Sequence, residues 1–122
     1  MKDFRKLDVW HVARRLTESV YQRTRNFPSD ETFGLRAQMR RASVSVCSNI
    51  AEGCGRSGDA EFARFLSIAT GSASELECET IIALDLGFLD QNTHDDLIAV
   101  IVEVKRMLGG LLGAVRPSSR RS

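Results

Sequence analysis

The chain has 122 residues, of which 43% are hydrophobic and 27% are charged, and its formal net charge is +1. This composition fits one globular domain and excludes a disordered or strongly basic protein. The opening residues MKDFRKLDVW lack the apolar core of a signal peptide. No segment approaches the ~20 continuous apolar residues of a membrane span. We therefore expect a cytoplasmic protein without membrane contact.

Charge is distributed unevenly along the chain. Residues 1–58 hold 11 lysines and arginines against 6 acidic residues, whereas residues 59–115 hold 3 against 10. Such asymmetry indicates either a polar partner or complementary packing between copies of the chain. Cys47, Cys54 and Cys78 are odd in number and match no metal-binding spacing, so we expect reduced cytosolic thiols.

The first predicted helix runs from about Asp8 to Arg25. Phe27-Pro28 stops it, because proline disfavours helical geometry in the residue before it. The spacing of its apolar residues places them on one helical face. These residues are Val9, Ala13, Leu16 and Val20.

The second predicted helix begins at a cap on Ser29 or Asp30 and ends at about Glu52, with Gly53 as the residue that terminates it. Its apolar residues recur at helical spacing and should face the core. They are Leu35, Met39, Ala42, Val46 and Ile50.

The third predicted helix is capped by Asp59 and extends to about Leu86, where Gly87 ends it. Its apolar residues have heptad-like spacing with small residues at the centre. The stripe consists of Phe62, Leu66, Ala69, Ala73, Leu76, Thr80 and Leu84.

The fourth predicted helix is capped by Thr93 and runs from about His94 to Val115. Its stripe consists of Leu97, Ile101, Val104, Leu108, Leu111 and Val115. Four amphipathic segments joined by short loops predict one all-α domain at residues 1–115, an antiparallel up-down-up-down four-helix bundle. Residues 116–122, which contain no apolar side chain, are predicted to form a disordered basic tail.

Small residues occur on the second and third helices where surface helices usually carry lysine and glutamate. We interpret them as an oligomer interface that lets another backbone approach closely. The candidate interface residues are Ala42, Ser43, Ser45, Gly71, Ser72 and Ser74.

Five arginines are candidate nucleic-acid-binding residues, because arginine suits bidentate contact with phosphate oxygens. They are Arg14, Arg15, Arg36, Arg40 and Arg56. The alternative is that they pair with the acidic second half of the chain, within one subunit or between subunits. In the run SNIAEG we expect Asn49 to bond to a neighbouring helix and Glu52 to pair with an arginine such as Arg41.

No arrangement of residues predicts catalysis. His11 and His94 are isolated in the sequence, and Glu75, Glu77 and Glu79 alternate, so they spread over different helix faces. We therefore expect no enzyme, no catalytic residue, no metal site and no cofactor.

Three runs carry a resemblance to a known family: FRKLDVWHVARRL, FPSDETFGLRAQMRRASVSVCSNIAEG and FARFLSIATGSASELECE. Over residues 4–112 the chain resembles the bacterial four-helix bundle proteins, also called the 23S rRNA intervening-sequence protein family. The resemblance implies a bundle that assembles into a ring, with a homopentamer as the expected form. Some members of that family are encoded in intervening sequences within ribosomal RNA genes.

A related accessory protein of diversity-generating retroelements forms a basic pentameric barrel that binds nucleic acid and a reverse transcriptase. This chain is nearly neutral, which separates it from that protein. Our first hypothesis is accordingly a non-enzymatic, homo-oligomeric scaffold or accessory protein whose partner is another copy of itself. The alternative hypothesis is an accessory protein that binds RNA or DNA through a basic surface on the ring.

Overall fold

The structure is a computed structural model that describes residues 2–120, with side chains described as far as Val115. It contains four helices: α1 (Asp8–Arg23), α2 (Leu35–Gly55), α3 (Asp59–Asp85) and α4 (Gln91–Arg120). Two short 3-10 turns, Phe4–Lys6 and Ser29–Glu31, precede α1 and α2, and residues 2–120 include no strand. The predicted all-α class is confirmed.

The helices form a closed bundle in which each helix packs against two others. Contacts join α1 to α2, α2 to α3, α3 to α4 and α4 back to α1, and no contact joins the diagonal pairs in the described chain. Neighbouring helices are antiparallel. Thr17 of α1, for example, bonds to Ser43 of α2, whereas the later Thr24 bonds to the earlier Arg36. This arrangement is the predicted up-down-up-down bundle.

The core consists largely of the predicted apolar stripes. Every stripe residue of α1 is buried, and so is every stripe residue of α2 except Leu35, which is half-buried. In α3, Leu84 is only half-buried and its neighbour Ala83 is buried instead. In α4 the stripe residues are buried as far as Leu108. The 3.6-residue periodicity therefore located the core correctly.

The start of α2 differs from the prediction. Ser29 lies in the 3-10 turn, and α2 begins six residues later at Leu35. Gly34 has φ −104° and ψ −123°, which is not helical, and the Glu31 carboxylate accepts the Leu35 N–H at 3.2 Å. Glu31 thereby supplies the cap that we assigned to Ser29 or Asp30.

Gly53 does not end α2, which continues to Gly55. A Cβ at Gly53 would lie 2.9 Å from the Cβ of Phe65 and 3.3 Å from a ring carbon of Phe62. This glycine therefore permits close approach of α3 to α2. The prediction that Gly53 terminates α2 was wrong. The role of Gly53 is contact with α3, and the sequence alone does not show that α3 packs against this position.

Helix α4 begins at Gln91, and the carboxylate of Asp90 accepts the Thr93 N–H at 2.8 Å. Asp90, not Thr93, therefore caps this helix. The backbone of α4 is helical to Arg120. The predicted disordered tail at 116–122 falls on residues whose side chains are not described, with residues 121 and 122 outside the described chain, and it stays a prediction.

Candidate functional site

The side of α2 that faces α1 carries two of the candidate arginines, and both are bonded within the chain. Arg36 donates hydrogen bonds to the backbone carbonyls of Thr24, Phe27 and Pro28. Arg40 donates to the Thr24 hydroxyl and to the Tyr21 carbonyl, both at 3.0 Å. A cation at a helix C-terminus satisfies carbonyls that lack intrahelical partners and opposes the helix dipole favourably. These arginines therefore stabilise the end of α1.

The other three candidate arginines lie apart from that pair. Arg56 makes an ion pair with Glu52 at 3.2 Å and lies over the Phe65 ring, at the opposite end of α2 from Arg36 and about 30 Å from it along the helix axis. Arg14 lies over the Trp10 ring, and Arg15 is exposed. The structure thus does not gather the five arginines into one surface.

The residues of the SNIAEG run are bonded within α2. The Asn49 amide donates to the Ser45 carbonyl at 2.8 Å and to the Ser45 hydroxyl at 3.0 Å, so its partner is on its own helix and not across the bundle. Glu52 pairs with Arg56, not with Arg41. Packing and local bonding explain this run, and the mispredictions in it concern the partners of Asn49 and Glu52 and the role of Gly53.

The candidate interface residues divide into a buried pair, a half-buried pair and an exposed pair. Ala42 and Ser43 are buried inside the bundle, so these two belong to intrachain packing. The hydroxyls of Ser45 and Ser72 bond to each other at 2.8 Å across the α2–α3 seam. Gly71 and Ser74 are exposed, and no atom lies within 4 Å of where a Gly71 Cβ would be. Contact with a second copy stays a prediction for the exposed positions.

Both α2 and α3 carry an outer stripe that our sequence analysis missed. On α2, residues that alternate in steps of four and three are Ala37, Arg41, Val44, Ser48, Ala51 and Gly55. On α3 and its C-cap residue Leu86, the residues at the same alternating steps are Ile68, Ser72, Glu75, Glu79, Ile82 and Leu86. The side chains of Val44, Ile68 and Ile82 are 41%, 40% and 41% exposed, respectively. Heptad spacing is typical of helices that pack against another helix, and this signal was present in the sequence.

A polar groove of about 420 Å³ lies between α2 and α3, and it is lined in part by Arg41, Glu75 and Glu79 of the two stripes. Its lining residues are Gln38, Arg41, Ala42, Ser45, Glu75 and Glu79. Glu79 is only 7% exposed, and its Oε1 atom has no hydrogen-bond partner in the described chain. A buried carboxylate without a partner is uncommon, since its desolvation is costly.

The electrostatic environment of Glu79 is consistent with its burial. The pKa of the Glu79 carboxyl is raised to about 7, chiefly by loss of solvent and also by the negative charge of Glu75, with Arg41 acting in the opposite direction. Arg41 nevertheless makes no ion pair or hydrogen bond with Glu79 among the described residues. The groove can therefore accept a cation or a hydrogen-bond donor from outside the chain.

Groups that could take part in catalysis are not assembled in the part of the chain that is described. Burial raises the pKa of the Cys47 and Cys54 thiols, which disfavours the reactive thiolate. His11 Nε2 lies 2.7 Å from the Arg5 carbonyl, and His94 Nδ1 lies 2.9 Å from the Asp95 carboxylate. Within the described residues no cluster of three metal-ligating side chains occurs, and no helix is long and apolar enough to cross a bilayer.

The fold and the site define a four-helix bundle whose second and third helices bear a partly apolar outer surface with a polar groove beside it. A solved structure of the same architecture is a protein with unknown function from the S23 ribosomal protein family of Bacteroides thetaiotaomicron VPI-5482. It superimposes with a TM-score of 0.77 at 19% sequence identity, over 85% of this chain and 97% of that chain. At this identity the likeness shows the fold alone. No curated protein matches the chain.

Residues 5–110 match the model of the family described as 23S rRNA-intervening sequence protein. Because this match covers most of the 122 residues, the chain belongs to that family. The resemblance noted from the sequence motifs is thereby confirmed.

Proposed function

We propose that this protein is a non-enzymatic scaffold or accessory protein that assembles with copies of itself, through the outer stripes of α2 and α3, into a ring. The pentamer implied by the family resemblance is the ring size that we propose, and we propose the cytoplasm as its location. Partners beyond the protein itself are left to the experiments below.

The observation that carries this proposal is the composition of the two outer stripes. Exposed helix faces of a monomer are usually rich in lysine and glutamate. The α2 stripe instead carries Val44 among small residues with one charged residue, Arg41. The α3 stripe carries Ile68, Ile82 and Leu86 on either side of Glu75 and Glu79. Heptad spacing allows such a stripe to receive another helix, and the open space at Gly71 would let the helix backbones approach closely. Covering these side chains removes apolar surface from water.

The test is to place a charge in the outer stripe of α2. We expect the wild-type chain to be oligomeric at micromolar concentration and Val44→Glu to weaken assembly by roughly tenfold or more, because a buried valine contributes about 1.5 kcal/mol or more. Sedimentation velocity and native mass spectrometry measure both the stoichiometry and the dissociation constant.

Val102→Glu is the matched control, because Val102 on α4 is 48% exposed and lies outside both stripes. We expect it to assemble like the wild type. A wild-type chain that remains monomeric would refute the proposal, and equal loss of assembly in both variants would refute the assignment of the interface to α2 and α3.

Binding of RNA or DNA receives less support from the geometry. Arg36, Arg40 and Arg56 are occupied within the chain, which leaves Arg14 and Arg15 of the five candidates. A gel-shift series over salt concentration tests this alternative, since phosphate contacts weaken as salt rises. A salt-sensitive shift that Arg14→Gln/Arg15→Gln abolishes would favour it, and no shift at low salt would exclude it.

A further inference from the structure

We propose that the groove between α2 and α3 is a socket for an arginine side chain from a second copy of this chain, with Glu79 and Glu75 as the receiving carboxylates. The inference rests on the proposed function, because it names what the self-assembly surface recognises. The donors that we assign are Arg15 and Arg25, near the middle and just after the end of α1.

The first argument is that Glu79 is incompletely satisfied. Its side chain is 7% exposed, it lines the groove, and its Oε1 has no hydrogen-bond partner within the described residues. Removing one oxygen of a carboxylate from water without a replacement donor is unfavourable. A guanidinium that enters the groove would supply that donor and a compensating charge.

The second argument is the balance of charge inside the groove. Two carboxylates, Glu75 and Glu79, share it with one arginine, Arg41, so the groove carries a net negative charge when all three are ionised. One additional cation would neutralise it. Arginine suits this place better than lysine, because its planar group can donate to two carboxylate oxygens at once.

The third argument is the supply of unpaired arginines on the basic half of the chain. Arg15 and Arg25 are exposed, and within the described chain neither side chain has a hydrogen bond, an ion pair or a ring contact. Helix α1 packs against α2 and α4 but not against α3, and among the described residues neither arginine bonds to Glu75 or Glu79 of its own chain. A second copy can deliver them.

Assembly through this socket depends on pH in a defined direction. The charged groups that face Glu79 are Glu75 on its own helix and Arg41 on α2, whereas Lys105 of α4 is engaged with Glu77 at 2.9 Å. The carboxyl titrates near neutral pH in the isolated chain, and a bound guanidinium favours its ionised form. Assembly then releases a proton below about pH 7, so the dissociation constant rises as pH falls, by at most about tenfold per pH unit and socket.

The experiment measures the dissociation constant by sedimentation velocity at several values between about pH 5.5 and pH 8, for the wild type, Glu79→Gln and Arg15→Gln/Arg25→Gln. We expect the wild type to assemble more tightly as pH rises. Both variants should weaken assembly at pH 8 by about tenfold or more and flatten the pH profile, and their combination should add little further loss. Glu77→Gln, which removes a carboxylate already paired with Lys105, is the matched control and should keep the wild-type profile.

Three failures are distinguishable. A wild-type chain that is monomeric at every pH overturns the proposed function and this inference together. If the wild type is oligomeric but its dissociation constant does not change with pH, only the socket is overturned. The same holds if Glu79→Gln has the dissociation constant of the wild type at every pH. If Glu79→Gln weakens assembly but the double arginine variant keeps the wild-type pH profile, the assignment of the α1 arginines is wrong.

Discussion

The two sides of α2 differ in how completely their polar groups are bonded. On the side that faces α1, Arg36 and Arg40 donate to carbonyls and a hydroxyl of the neighbouring segment. On the side that faces α3, Arg41 and Glu79 share a groove without forming an ion pair, and a buried carboxylate oxygen has no donor. The polar groups on the α1 side are therefore satisfied within the chain, whereas a polar group on the α3 side lacks a hydrogen-bond partner among the described residues. An arginine at the surface of one helix can therefore be structural on one side and available for a partner on the other.

The largest expected effect comes from breaking the completed side. Arg36→Met removes the guanidinium donor from three backbone carbonyls. Those of Thr24 and Pro28 keep a backbone N–H donor, whereas that of Phe27 keeps none among the described residues. We expect this variant to lower the free energy of unfolding by about 3 kcal/mol, measured by urea denaturation. Arg106→Met is the control, because Arg106 is exposed and its one bonding partner among the described residues is Glu103 on its own helix. It should cost about 0.5 kcal/mol or less at the same protein concentration. Equal losses in the two variants would contradict the capping role.

A smaller effect, of opposite sign, is expected on the incomplete side. The pKa of Glu79 is raised from 4.5 to about 7 in the folded chain, so the folded state holds this proton more tightly than the unfolded state. Its contribution to stability is present below pH 4.5 and is lost as pH rises through about 7. Glu79→Gln cannot ionise and avoids that loss. We expect it to raise the free energy of unfolding by about 2 kcal/mol at pH 8, under conditions where the chain is monomeric, and by little at pH 4.5.

Chemical denaturation at the two pH values checks the Glu79 prediction. Glu77→Gln serves as the control, because the Glu77 carboxylate is already paired with Lys105 at 2.9 Å. It should give no gain in stability at either pH. If Glu79→Gln were destabilising at pH 8, Glu79 would have to be satisfied within its own chain, and the contrast between the two sides of α2 would disappear.

The smallest effect compares two glycines on the α2–α3 side. Gly53→Ala would place a Cβ 2.9 Å from the Cβ of Phe65, which cannot move aside without shifting α3, whereas Gly71→Ala meets no atom within 4 Å. We expect Gly53→Ala to lower the free energy of unfolding by about 1 kcal/mol, because overpacking exceeds the gain in helix propensity. Gly71→Ala should raise it by up to about 1 kcal/mol in the monomer. Thermal unfolding distinguishes the two, and a stabilising Gly53→Ala would contradict the close contact.

The fold was predictable because it depends on local periodicity. Every fourth or third residue of each helix is apolar, and this pattern alone placed Leu16, Val46, Leu66 and Ile101 in the core. Helix ends were less predictable, since Glu31 and Asp90 act as caps through side-chain bonds that depend on loop geometry. Such bonds shift a boundary without changing the apolar pattern.

The candidate site was less predictable than the fold, because its properties come from neighbours distant in sequence. From the sequence, Arg36 and Arg40 are candidates for contact with phosphate. In the structure both donate hydrogen bonds to groups at the end of α1. Glu79 looks exposed in the sequence, since it alternates with Glu75 and Glu77, and only the close approach of α2 buries it. The missed signal was the heptad spacing from Ile68 to Leu86, which predicts a second packed face.

The end of α1 is completed by Arg40, a residue that is synthesised after the whole of α1. A helix of 16 residues is marginal on its own in water, and the Thr24 hydroxyl acquires its donor from Arg40, 16 residues further along the chain. During synthesis α1 therefore emerges before the side chains that complete its last turn. Its stable form has to wait until the ribosome has delivered the first turns of α2, so the two helices should mature as a single hairpin.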